Sequence, residues 1–194
     1  YLRKSSIELI KTANCIMFSG GDQSKITDKI GGTEIHDILV TRYQNEEGFV
    51  IAGTSAGAMA MAHEMIAGGS AAEAFIKGAV SMYKGLGLIP ELIIDTHFVK
   101  RGRIGRLFQS VVSNPKLLGI GLGEDTGLLI TNDNEMEAIG SGLVILVDGR
   151  EIKDTNLTEI SLGEPISINH LVTHVMSMHD TFDLSTYKMK IHSK

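Results

Sequence analysis

The segment Ile51-Ala52-Gly53-Thr54-Ser55-Ala56-Gly57-Ala58 constrains this chain more than any other. It sets Gly-x-Ser-x-Gly between a short apolar run at 49–52 and an alanine-rich run at 56–66. A strand that turns straight into a helix strains its turn residue, and only small neighbours avoid a clash there. Gly53, Ala56 and Gly57 are all small, so Ser55 is expected at the tip of the turn, in the position of a nucleophile. The first free N–H groups of the following helix then aim at the site, where they can stabilise an oxyanion.

The same strand-then-helix grammar recurs and predicts an α/β domain with a largely parallel sheet. Residues 1–12 read as a helix already under way, with a strand and helix expected before it. The run at 15–18 is apolar throughout, as in a strand covered on both faces. It enters the loop Ser19-Gly20-Gly21-Asp22-Gln23. Ile35, Ile38 and Leu39 mark a helix face behind Thr33 as N-cap. A strand at 92–94, a basic helix from about 100 to 112 and a strand at 118–122 follow. Beyond Gly127 the texture changes to short strands at 128–131, 136–139 and 143–147, separated by Asn-Asp, Gly-Ser-Gly and Asp-Gly turns. That pattern predicts an antiparallel meander, closed by a strand near 170–178. With no repeat and no linker, residues 1–194 read as one domain.

Composition narrows the function. Of 194 residues, 43% are hydrophobic and 21% charged, and the formal net charge is −5. That acidic balance argues against a nucleic-acid binder, which would carry a basic face. No apolar run approaches the roughly 20 residues that span a bilayer, so no membrane partner is expected. A single cysteine, Cys15, allows neither an internal disulfide nor a cysteine-rich zinc site. That fits a reducing, cytoplasmic compartment, although an exported enzyme without disulfides has the same composition.

A serine nucleophile needs a base. His97, in Asp95-Thr96-His97-Phe98, stands just past an apolar strand, where loops of an α/β sheet bind ligands. His36 and His63 fall in predicted helices and His192 in the tail. His170 and His174 lie on a predicted strand without a carboxylate cluster, so a structural role is expected for them and no metal site is assigned. The base needs an acid to hold its tautomer. Glu124 and Asp125 both follow the strand at 118–122, and either could serve. Arg101, Arg103 and Arg106 start four residues after the base. They are either a solvated helix face or a clamp for carboxylates, which arginine grips in bidentate fashion.

These residues together resemble the cyanophycinases, in the serine peptidase family that also holds dipeptidase E. The matching stretches are 18–23, 53–58, 95–98 with the trailing arginines, Gly119-Ile120-Gly121 leading to Glu124-Asp125-Thr126, and Asp180-Thr181-Phe182-Asp183-Leu184. They run in family order across nearly the whole chain. The resemblance implies a glutamine-amidotransferase-like sandwich and a Ser55–His97–Glu124 triad. It also implies a substrate pocket of Gln23, Asp95, Thr96, Arg101, Arg103 and Arg106. Its oxyanion hole would use the backbone N–H of Ala56 and of a glycine in the Gly20-Gly21 loop, here Gly21. The implied reaction is exopeptidase hydrolysis of cyanophycin, a poly-aspartate carrying arginine on each β-carboxyl, to β-Asp-Arg dipeptides. No cofactor or metal is required, the partner is a peptide rich in Asp and Arg, and a homodimer is implied. Gly123 and Thr96 depart from the family pattern, which expects aspartate and often glutamine there, and so bear on the substrate. The rival readings are a peptidase acting on short aspartyl or isoaspartyl peptides, a non-catalytic binding protein on the same scaffold, and an ordinary esterase.

Overall fold

The computed structural model describes residues 4–89, 91–131 and 134–193. Helix α1 (Lys4–Thr12) leads into strand β1 (Cys15–Phe18). Helices α2 (Gln23–Ile30) and α3 (Glu34–Asn45) return the chain to β2 (Val50–Gly53), which pairs with β1 in parallel. Thr33 caps α3 by accepting a hydrogen bond from the His36 N–H. Ile35 and Leu39 of α3 then pack with Phe18, Phe49 and Met61 in one core cluster. Only the Ile16 and Phe18 side of β1 meets these helices. Cys15 and Met17, on its other face, are exposed, so β1 is covered on one side and not on both.

Strand β2 turns directly into α4 (Ala56–Met61), six residues that are all buried. The helix stops well short of Ile66. Ala62 is already extended, and the carbonyls of Ala60, Met61 and Ala62 accept hydrogen bonds from the N–H groups of Leu86, Leu88 and Gly87. The residues after it form β3 (Glu64–Gly69), which pairs with β4 (Val80–Lys84) as an antiparallel hairpin.

Strand β5 (Leu92–Thr96) is buried along its whole length and pairs in parallel with β6 (Leu118–Leu122). Helix α5 (Ile104–Ser113) connects them and begins later than its basic residues suggest. Gly102 adopts φ +60, which interrupts the turn, so Arg101 and Arg103 precede the helix and only Arg106 lies within it.

Among the described residues no helix follows β6, and strands joined by short connections return antiparallel. β7 (Thr126–Thr131) and β8 (Glu135–Gly140) pair in this way, but β9 (Val144–Asp148) leaves them to join β6. β10 (Asp154–Thr155) and β11 (Ile168–Asn169) make a small pair, and β12 (Val172–Met176) adds to β9. β13 (Thr181–Asp183) and β14 (Lys188–Lys190) extend the β8 edge. Two four-stranded sheets result, ordered β12-β9-β6-β5 and β14-β13-β8-β7. Leu92, Ile94, Leu118 and Ile120 of the first pack with Met136, Ala138 and Phe182 of the second. The architecture is a mixed α/β fold with several sheets. Among the described residues, parallel pairing is confined to β1–β2, β5–β6 and an isolated bridge between Ala62 and Ile89. No helix among them is long and apolar enough to cross a membrane.

Candidate active site

The turn between β2 and α4 requires the small residues that surround Ser55. A Cβ on Gly53 would lie 2.7 Å from the backbone of Gly57 and Ala58, and one on Gly57 only 2.1 Å from the Phe18 carbonyl oxygen. Helix α4 is therefore seated against both strands of the parallel pair. Gly57→Ala is expected to destabilise the fold by about 1–3 kcal/mol, as overpacking against rigid backbone does. A urea titration checks this, and a midpoint equal to that of the unchanged protein would refute it.

Ser55 sits at the tip with φ 53, a region few non-glycine residues adopt. It is the residue before the first turn of α4, yet its side chain caps no N–H. Its Oγ instead lies 3.2 Å from Nε2 of His97, and Nδ1 of His97 lies 2.9 Å from Oε1 of Glu124. An ionised carboxylate can only accept, so Nδ1–H donates to Glu124 and Nε2 is left to accept the Ser55 hydroxyl proton. The hydrogen bond from His97 holds the Glu124 carboxyl below its ordinary pKa, with smaller help from the Lys100 charge. Ser55, His97 and Asp125 all have positive φ, at 53, 53 and 51.

The three side chains come from the carboxyl ends of β2, β5 and β6. They open on a cavity of about 770 Å³ lined by Thr96, Asp125 and an apolar floor that includes Ile51, Ile94, Ile120 and Leu128. His97 and Glu124 are each about one-third exposed, so a substrate can reach them. The glycine loop abuts Ser55: a Cβ on Gly20 would come within 3.4 Å of the Ser55 Cβ. Gly21 follows with φ +137 and open space on its Cβ side. Ala56 is the first residue of α4.

The other residues singled out from the sequence fall into different surroundings. Gln23 donates its amide to the carbonyls of Ile66 and Ala67, tying α2 to β3. Thr96 is buried, with its hydroxyl against the Met59 sulfur. Asp95 is wholly buried and Arg106 nearly so, and the two form a bidentate pair. Arg103 is largely buried beside them, which holds its guanidinium below its ordinary pKa, and the neighbouring Arg106 charge adds to that. Arg101 is exposed. Of these six, Thr96 alone is among the residues that line the cavity with Ser55. Gly123 leaves no room for a larger residue without adjustment, because a Cβ there would stand 3.0 Å from the Leu143 carbonyl oxygen.

Several features went unread in the sequence. Gly121 is needed because a Cβ there would strike the Phe98 ring at 2.3 Å, and Gly119 makes similar room for Leu107 and Val111. Thr126 fixes the loop after β6 by donating its hydroxyl to the Glu124 carbonyl. Asp180 accepts from the N–H groups of Ser177 and His192, and Asp183 from those of Ser185 and Thr186. The aspartates of that C-terminal motif therefore fix turns. His36 bonds to the Leu86 carbonyl through Nε2, and His170 stands just before β12 rather than on it.

A nucleophile elbow joined to a Ser–His–Glu hydrogen-bond relay is the constellation of a serine-type peptidase. The sequence comparisons specify which kind: peptidase family S51 matches residues 2–138, and the chain belongs to that family. It is 38% identical to a cyanophycinase of Trichormus variabilis over 175 residues, covering 90% of this chain and 58% of that protein. A cyanophycinase of Nostoc sp. is 38% identical over 181 residues, covering 93% of this chain and 59% of its relative. That of Geminocystis herdmanii is 35% identical, with 93% and 66% covered. The chain thus spans about three-fifths of the length of these curated relatives. Among solved structures, a peptidase from an acI-B1 Actinobacterium superposes with a TM-score of 0.58 at 21% identity, covering 89% of this chain and 62% of that one. That likeness concerns the fold.

Proposed function

We propose that this chain is a cyanophycinase, a serine-type exopeptidase that hydrolyses multi-L-arginyl-poly-L-aspartate to β-Asp-Arg dipeptides. The observation that carries the proposal is the Ser55–His97–Glu124 relay in a chain 38% identical to cyanophycinases. Ser55 Oγ attacks the scissile backbone carbonyl as its proton passes to Nε2 of His97. Glu124 stabilises the imidazolium through Nδ1–H. The oxyanion is received by the Ala56 N–H and by an N–H of the Gly20-Gly21 turn, with Gly21 the favoured donor. The C–N bond then breaks and His97 returns the proton to the leaving amine. Water next attacks the acyl-enzyme, giving one proton to His97, which restores it to Ser55. Arg101, exposed beside the His97 turn, supplies a cation for substrate carboxylates.

The contact between Ser55 and His97 brings the carboxyl ends of β2 and β5 together. It supports placing the two parallel pairs in a single amidotransferase-like arrangement. A homodimer belongs to the same reading. Incubation with purified cyanophycin, followed by mass analysis of the soluble fraction, tests the function. Release of β-Asp-Arg is the expected result. Turnover of short isoaspartyl peptides with no release from the polymer would replace it by a dipeptidase.

A further inference from the structure

His97 holds a left-handed backbone conformation at φ 53, which persists only where its surroundings over-determine it. Here the surroundings can be named. The Thr96 N–H donates to Asp95 Oδ1 at 2.8 Å, and the Thr96 carbonyl accepts from Arg103 Nη1 at 2.8 Å. On the other side of His97, the Phe98 N–H donates to the Leu122 carbonyl and the Phe98 carbonyl accepts from the Arg103 N–H. Arg103 thus grips the turn twice, once with its side chain and once with its backbone.

The anion at the centre of this arrangement is enclosed. Asp95 has no solvent exposure, and a buried carboxylate is tolerable only when paired and hydrogen-bonded. Arg106 supplies that pairing through Nε at 2.5 Å and through Nη2, and Arg103 Nη1 adds a longer contact at 3.4 Å. To meet a substrate, Asp95 and Arg106 would first have to part and leave two buried charges unpaired.

We infer that Asp95, Arg106 and Arg103 are positioning residues: the buried Asp95–Arg106 pair anchors the end of β5, and Arg103 bridges it to the Thr96 carbonyl, fixing the orientation of His97 toward Ser55 and Glu124. The inference rests on the triad reading above. It separates these residues from Arg101, which is exposed and free to meet substrate.

Arg103→Met is the informative change, because Arg103 keeps 18% side-chain exposure and is not the main partner of the buried carboxylate. Turnover is measured on p-nitrophenyl acetate, which carries no charge, and on cyanophycin. Displacement of the base is expected to lower kcat about 10²-fold on both substrates, with KM and melting temperature little changed. Arg103→Lys, which retains a donor for the Thr96 carbonyl, should recover part of the loss. Unchanged ester turnover with a raised KM for cyanophycin alone would make Arg103 a substrate clamp and overturn the inference. Should Arg103→Met fail to fold, Arg103→Gln is judged by the same two-substrate comparison. Ser55→Ala serves as the control: if it keeps normal turnover, the triad reading fails instead, so the two failures are told apart.

Discussion

Replacing Ser55 by alanine is expected to lower kcat by about 10³-fold or more with the fold retained. The substitution removes one oxygen, and that oxygen faces the His97 Nε2 rather than any backbone group. Helix α4 loses no cap, because the Ser55 side chain provides none. The α4 residues that hold the elbow in place, from Ala56 to Met61, are untouched and buried. The fold should therefore survive while the covalent step disappears. Three measurements decide it: kcat on cyanophycin, the far-ultraviolet circular dichroism spectrum, and labelling by a fluorophosphonate probe. A folded Ser55→Ala protein with full activity would end the serine-hydrolase assignment. Normal activity together with lost labelling would mean that the probe reads a serine the reaction does not use.

That Ser55, His97 and Glu124 could meet was legible in the sequence because each obeys a local rule. Gly53 and Gly57 are dictated by contacts within a few residues of the turn or with the adjacent strand, so their spacing announces the elbow. His97 directly follows β5 and Glu124 follows β6 after Gly123, which places them at one edge before any tertiary contact is known. What was not legible depends on partners distant in the chain. Whether Arg106 faces solvent or a buried carboxylate turns on Asp95, eleven positions earlier and on a different element. A basic run is identical in sequence in the two cases. The β3–β4 hairpin was missed for a related reason. Met65 and Ile66 are both fully buried, so adjacent residues on opposite faces are apolar and the alternation that marks a strand is absent. The departure of β9 to β6 is likewise a matter of register between strands. No turn signal encodes it.

Glu124→Gln is expected to cost about 10²- to 10⁴-fold in kcat, and Asp125→Asn far less. Sequence position could not separate the two acids, since they are adjacent. Geometry favours Glu124, whose Oε1 lies 2.9 Å from the His97 Nδ1, while Asp125 is exposed. A glutamine keeps the size of Glu124 and can still accept from Nδ1–H. It can also present its amide N–H₂ to Nδ1, which would move the ring proton to Nε2 and abolish the base facing Ser55. Either way the negative charge that stabilises the imidazolium is gone. The direction of the Glu124 pKa fixes the pH behaviour. Because the His97 hydrogen bond holds it below the ordinary carboxylate range, the folded protein favours the ionised acid. The support Glu124 gives His97 is therefore complete above the ordinary Glu pKa and is lost only as pH falls through the lowered value. In Glu124→Gln that support is absent at every pH, so its deficit relative to the unchanged enzyme should persist at neutral pH and shrink in strong acid, where Glu124 itself is protonated. Paired pH profiles of kcat for the two variants and the unchanged enzyme test this. A larger loss in Asp125→Asn than in Glu124→Gln would move the acid role to Asp125 and leave the serine and histidine in place.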